Sequence, residues 1–196
     1  MHRKEAAEPV NLVIGGTGML SGVALALSTE FRTIVVARGI RRLHQVYRKA
    51  KAGGGTISAV PMDYSRPGEA DRMPDLLRHW NVDCRKVVIW VHSHAEVFST
   101  KLLAYLGKHN PDAVVVHVLG SASLQREGIA DRMLTTDFVD RLPNYRQAVL
   151  GFKREGDGAR WLTHEEICAG VMHALDMAER RYVVGTVEPW NLRPGA

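Results

Sequence analysis

Three groups of residues have the types and spacing to do chemistry. The first is Gly15-Gly16-Thr17-Gly18-Met19-Leu20, which closes the apolar run Val10 to Ile14 and passes into a small-residue stretch, Val23 to Ser28. A glycine at position 15 permits a tight turn, and one at position 18 lets the backbone approach an anion. The free N–H groups and positive dipole end of a helix starting there would hold a pyrophosphate. Gly15, Thr17, Gly18, Met19 and Leu20 are therefore expected to contact a dinucleotide. The second group is Arg38 with Arg41 and Arg42 behind it. About twenty positions past such a glycine turn, an NAD site carries an acidic residue for the ribose 2′-hydroxyl. Here that place holds Arg38, with no Asp or Glu nearby. A guanidinium pairs with a 2′-phosphate that a carboxylate would repel, so Arg38 and Arg42 point to NADP(H) rather than NAD(H). The competing reading is a solvated cluster of surface charge.

The third group is polar residues placed just after apolar runs. Lys86 to Val91 ends in His92-Ser93-His94, and Asp112 to Leu119 ends in Gly120-Ser121-Ala122-Ser123. The carboxyl ends of parallel strands face the ligand crevice. His92 and Ser93 are thus placed for a cofactor's ribose or nicotinamide. Ser121 and Ser123 supply hydroxyls where chemistry is expected. Tyr145 and His94 are the candidate proton donors, provided either comes within about 3 Å of the reacting oxygen. For Tyr145, packing as an edge aromatic is the plain alternative. Asp63, after a third strand, is placed to accept from an adenine amino group or simply to close a turn. His92 and His94 would point the same way from a strand, but no third metal ligand accompanies them, so no metal is expected. His117, inside a strand pattern, reads as a hydrogen-bonded core histidine.

The elements that must position these groups alternate. Strand patterns at Val10–Ile14, Arg32–Ala37, Thr56–Val60, Lys86–Val91, Asp112–Leu119, Tyr145–Phe152 and Arg181–Val187 are separated by helical ones at Ile40–Ala52, Glu69–Trp80 and Ala95–His109, and by a helix opened by Thr163. Thr163-His-Glu-Glu166 has the form of a capping box, and Ile167, Val171, Ala174, Leu175 and Ala178 share a face behind it. A short helix is expected over Ile129–Val139. The result is an α/β fold of the Rossmann type: a doubly wound parallel sheet of about seven strands with helices on both faces. Residues 1–8 read as a flexible arm and residues 9–196 as a single dinucleotide-binding domain.

Composition narrows the function classes. The charge is +5, and 24% of residues are charged, ordinary for a globular chain. No apolar run approaches a membrane span. The start lacks the apolar core of a signal peptide, and two cysteines without metal spacing fit a reducing, cytoplasmic setting. The basic segment Arg41–Lys51 lacks the aromatic interleaving of a nucleic-acid surface and reads as a solvated helix face, so neither nucleic acid nor membrane is an expected partner.

Taken with Gly15-Gly-Thr-Gly-Met-Leu-Ser-Gly22, Val35-Val-Ala-Arg38, Asp63 and the hydroxyls of Ser121 and Ser123, the chain resembles the short-chain dehydrogenase/reductases. The resemblance covers about the first 125 residues. Its glycine turn is similar to the Gly-x-x-Gly-x-x-Gly form of extended and atypical members, with Ser21 in place of the third glycine. The resemblance implies a serine that polarises the substrate carbonyl, for which Ser121 is the nearest match. It also implies a Tyr-x-x-x-Lys pair on the next helix, which this sequence lacks: Tyr145 is followed by Val149, and the pair Tyr47–Lys51 falls on the adenine side. An NADPH-dependent reductase of a small carbonyl or imine compound is therefore expected, acting on a small-molecule substrate, with a homo-oligomer allowed. The competing expectation is a non-catalytic NADP(H)-binding protein that acts through a protein partner.

Overall fold

The structure is a computed structural model and describes residues 6–66, 68–92, 95–124, 128–156 and 158–195. Its strands are β1 (Glu8–Ile14), β2 (Arg32–Ala37), β3 (Ile57–Pro61), β4 (Val82–Ile89), β5 (Val114–Gly120), β6 (Tyr145–Leu150), β7 (Phe152–Glu155), β8 (Gly158–Trp161) and β9 (Arg181–Val184). Its helices are α1 (Ser21–Leu27), α2 (Ile40–Ala52), α3 (Glu69–Trp80), α4 (Glu96–His109), α5 (Ile129–Leu134), α6 (Asp137–Asp140) and α7 (His164–Asp176). Seven strands form one sheet in the order β3–β2–β1–β4–β5–β6–β9, and every pairing in it is parallel. This is the expected doubly wound sheet. The order reverses between β1 and β4, so the crevice at their carboxyl ends is where a ligand belongs.

Two layers of core follow from the pleat. Val10, Leu12 and Ile14 of β1 pack with α3 and α4, whereas Val13 packs with Val23 and Leu27 of α1 and Val171 of α7. Both faces of β1 are buried from Val10 onward, which is why its sequence there is near-continuously apolar instead of alternating. Asn11 is the exception. It is fully buried, its amide donates to the Leu27 carbonyl at 3.0 Å, and its Oδ1 accepts from Lys86 N at 3.2 Å beside a register shift between β1 and β4.

Several boundaries differ from expectation for physical reasons. Glu8 is the first residue of β1 and pairs with Arg32 at 2.6 Å, so the sheet begins inside the segment read as an arm. The helix expected over Ile129–Val139 is two helices. Thr135 and Thr136 turn their hydroxyls back to the Arg132 and Met133 carbonyls, a local bond that competes with helix propagation. The strand expected to run to Phe152 stops at Leu150, because Gly151 lies against the backbone of Thr186 with no room for a side chain. Phe152 then opens an antiparallel hairpin with β8 that the polar segment Lys153–Arg160 did not announce. Ala178, expected on the inner face of α7, lies beyond the helix, which closes at Asp176. The capping box is present: Glu166 N donates to Thr163 Oγ1 at 3.2 Å and Thr163 N to Glu166 Oε2 at 2.9 Å.

Candidate functional site

The glycine turn sits at the carboxyl end of β1, against β4. Gly15 has φ +80°, and its N–H donates to the Val36 carbonyl at 2.9 Å. A Cβ there would stand 2.5 Å from the Trp90 carbonyl oxygen, so both the positive φ and the closeness of β4 require glycine. Gly18 has no atom within 4 Å of where a Cβ would stand, which leaves open space over the turn. Gly22, one residue past the serine that replaces the motif's third glycine, faces α7. A Cβ there would meet Cys168 Sγ at 2.9 Å. The close packing assigned to that third glycine is made here by Gly22, helix against helix. Cys168 is partly buried and donates to the Met19 carbonyl at 3.0 Å, which ties α7 to the turn.

Gly15, Thr17, Gly18, Met19, Arg38 and Arg42 line a single cavity of about 350 Å³ together with Tyr64 and Trp90. Arg38 and Arg42 are exposed on its rim, and neither makes an ion pair with a described residue. The remaining arginines and lysines of α2 point to solvent, while Leu43, Val46 and Ala50 face the core. Two expected cofactor contacts are placed elsewhere. Leu20 is fully buried in the α1 core and does not reach the cavity. Asp63 closes a turn: Ser65 Oγ donates to its Oδ1 at 2.6 Å and Arg66 Nε to its Oδ2 at 3.2 Å. These donors hold its carboxyl below the usual carboxylate range. Tyr64, half-buried against Phe98, lines the cavity in its place.

Two further cavities open on the other side of Trp90. One, of about 270 Å³, is lined by residues that include Trp90, His92, Glu96, His117, Ser123 and Met133. Its floor is β5. Its wall is α5, which is held in place by Gln147: that amide donates to the Ala130 carbonyl at 2.7 Å and accepts from Arg181 at 2.9 Å. His92 is exposed there, with its ring edge-on to Trp90 at 5.6 Å. Ser123 Oγ is sealed from solvent and has no hydrogen-bond partner among the described residues. The other cavity, of about 230 Å³, is lined among others by Ser121, Trp161, Ile167 and Arg193. The two expected serines are therefore split between cavities. Ser123, the second choice, lines the cavity that His92 also lines, its hydroxyl set into the wall, and Ser121 lines the cavity on the hairpin side. Ser93 and His94 lie outside the described residues.

Tyr145 is not brought to the crevice. It is the first residue of β6, at the amino end of a parallel strand, and is 1% exposed. Its hydroxyl lies 3.1 Å from His117 Nδ1 because Val115 pairs with Tyr145 and the same face of β5 then carries His117. The phenol cannot touch a substrate directly. His117 does line the cavity, although it is also the buried, hydrogen-bonded histidine that the strand pattern implied. Burial pushes the imidazole down to about 4 and the phenol up to about 12, so at neutral pH both are uncharged. The cavity-lining residues that sequence reasoning did not single out are Trp90, Glu96, His117 as a cavity residue, and Arg193. Trp90 had the best signal, since it stands just before the polar trio that follows β4.

No family model matches the sequence, and no curated protein matches it. Solved structures do resemble it in fold. A metagenomic short-chain oxidoreductase in complex with NADP superposes with a TM-score of 0.70 at 13% identity, covering 92% of this chain and 99% of that one. An NAD+-bound xylitol dehydrogenase gives 0.69 at 12% identity, covering 92% and 99%. The Pseudomonas aeruginosa protein RhlG, solved with NADP, gives 0.68 at 18% identity, covering 91% and 95%. The chain therefore has the fold of short-chain dehydrogenase/reductase structures. That fold accommodates either nicotinamide dinucleotide, so it does not choose between them. Among the described residues, no group of three His, Cys, Asp or Glu side chains is arranged to hold a metal, and no helix is long and apolar enough to cross a membrane.

Proposed function

We propose that the protein is an NADPH-dependent oxidoreductase that reduces a small carbonyl or imine compound. The observation that carries this reading is one cavity that combines the glycine turn with Arg38 and Arg42, neither of which forms an ion pair with a described residue, although the Asp63 carboxylate lies near enough to Arg38 to feel its charge. Gly18 leaves the space a pyrophosphate needs, and a guanidinium fork suits a 2′-phosphate. The residues thus fit NADP(H), which when bound supplies a hydride. Thr17 and Met19 would hold the pyrophosphate, and Tyr64 and Trp90, which line the same cavity, would contact the rest of the dinucleotide.

The chain's own contribution lies in the β5 cavity. Ser123 donates its hydroxyl to the substrate oxygen or nitrogen. His117 adds a second donor: the Tyr145 hydroxyl donates to Nδ1, which places the ring proton on Nε2. A neutral imidazole donates a hydrogen bond without bringing charge into an apolar cavity, and donors aimed at developing negative charge lower the barrier. Tyr145 is thereby a positioning residue. His94 and the exposed His92 are assigned the delivery of the proton from solvent, and Ser121 the second cavity.

The test is titration calorimetry with NADPH and NADH on the wild type and on Arg38→Asp/Arg42→Ala, followed by NADPH oxidation with aldehydes, ketones and cyclic imines. The wild type should bind NADPH at least tenfold more tightly than NADH, and the variant should lose that margin, a difference of about 1.4 kcal/mol or more. A preference for NADH, or no heat with either, would overturn the cofactor assignment. Tight NADPH binding without turnover of any substrate would favour the binding-only alternative.

A further inference from the structure

The second cavity, beside the hairpin, holds a cation without a counter-ion. Leu150, Leu162, Ile167, Trp90 and Trp161 make its walls apolar, and Ser121 and Arg193 supply its polar groups. Arg193 Nε is sealed from solvent and has no hydrogen-bond acceptor among the described residues. The guanidinium is clamped between two indoles, with its carbon 5.2 Å from the Trp161 ring centre and 4.9 Å from that of Trp190. Among the described residues no carboxylate pairs with it and none lines the cavity. A desolvated N–H with no acceptor is costly, and native proteins rarely keep one unless something binds there. Stacking holds the fork rigid, and a rigid planar fork suits the two oxygens of a carboxylate. The cavity that contains Ser123 and His117 adjoins this one, sharing Trp90, Gly120 and Ala122, and its charged lining residue is Glu96, of the opposite sign. An anionic group is therefore repelled from one cavity and drawn to the other.

We propose that Arg193, held between Trp161 and Trp190, is an anion subsite that takes the carboxylate of an oxo acid or imino acid whose carbonyl or imine group lies at Ser123 and His117. The substrate class rests on the reductase reading above; the anion subsite itself does not. Arg193 sets orientation and discriminates acids from their neutral analogues.

The test uses the free protein and needs no cofactor. Tryptophan fluorescence is followed during titration with malonate, with malonamide, and with sodium chloride at matched ionic strength. Malonate should give a saturable change that malonamide and chloride do not. Arg193→Gln should bind malonate at least tenfold more weakly, and Arg193→Lys, which keeps the charge but loses the fork, should fall between the two. NADPH affinity should stay within twofold of wild type in both variants. A response to malonate no larger than that to chloride, or malonate binding unchanged in Arg193→Gln, would overturn the subsite. Loss of NADPH affinity in Arg193→Gln, whatever malonate does, would assign the guanidinium to the cofactor's pyrophosphate and overturn it equally. Failure of the wild type to bind NADPH would instead sink the reductase reading and leave the malonate result standing.

Discussion

The buried pair His117–Tyr145 has a measurable signature in the pH dependence of stability. Burial lowers the His117 pKa from the ordinary 6.5 to about 4. In the unfolded chain the imidazole takes up a proton near pH 6.5; in the folded protein it stays neutral until about pH 4. Between those values the unfolded state binds the extra proton, so stability is highest above pH 6.5 and is lost as the pH falls towards 4. The gap of two and a half units, at about 1.4 kcal/mol each, corresponds to on the order of 3 kcal/mol. Glu8 and Glu166, whose carboxyls are held down by Arg32 and Arg160, also lose stabilisation in acid, so the wild-type curve alone mixes several groups. The clean measurement is a difference. His117→Gln does not titrate and keeps an acceptor for the Tyr145 hydroxyl. Urea unfolding of both proteins at pH 7.5 and pH 4, read by circular dichroism, should show the wild type losing about 3 kcal/mol more than the variant. Equal losses would refute the argument, as would an NMR titration of the His117 ring with a midpoint near 6.5.

Two further outcomes are expected from the geometry. Ser123→Ala removes the unpartnered hydroxyl, so NADPH oxidation with a working substrate should fall about a hundredfold in kcat, the usual effect of losing one such donor. NADPH affinity should be unchanged, and Ser121→Ala should have a smaller effect on kcat. Gly170→Ala on α7 would place a Cβ 2.5 Å from both Val184 methyl groups of β9. The overpacking should cost about 1–3 kcal/mol, less the roughly 1 kcal/mol that alanine gains in a helix. Adding Val184→Ala should relieve the clash, so a double variant no more stable to urea than Gly170→Ala would disprove the contact.

The amino-terminal half of the fold, and the gathering of Gly15, Gly18, Arg38 and Arg42 around one cavity, were legible because their constraints are local. Gly15 needs a positive φ and β2 needs a β-branched run. The cations behind β2 sit at a spacing set by one strand–helix–strand unit, so a short window of sequence holds each signal. Arg32–Ala37, Ile40–Ala52 and Glu69–Trp80 match the structure at both ends for this reason. For Leu20 and Asp63 the sequence did not give the direction of the side chain: Leu20 turns into the core, and Asp63 takes the turn-closing alternative. Within a glycine turn, sequence spacing does not say which residue faces the ligand and which the core, and an aspartate two residues before a serine meets its own backbone first.

The substrate side was much less legible, because its constraints act between segments far apart in sequence. Whether Tyr145 reaches the crevice depends on which end of β6 it occupies and on the register with β5, and that register hands its hydroxyl to His117 instead. Ser121 and Ser123 differ by two positions in a short helical turn, which is enough to place them on the linings of different cavities. Arg193 gains its meaning only when the hairpin brings Trp161 across to Trp190, and the hairpin was invisible because both its faces are largely polar. A Tyr-x-x-x-Lys motif is recognisable because one helix carries both partners. In this protein the donors proposed to replace it come from two points of β5 and its following turn and from the start of β6, so no single stretch of sequence contains the site. The chemistry is assembled by strand register, and the register is set by the apolar faces of β5 and β6 that the polar residues interrupt.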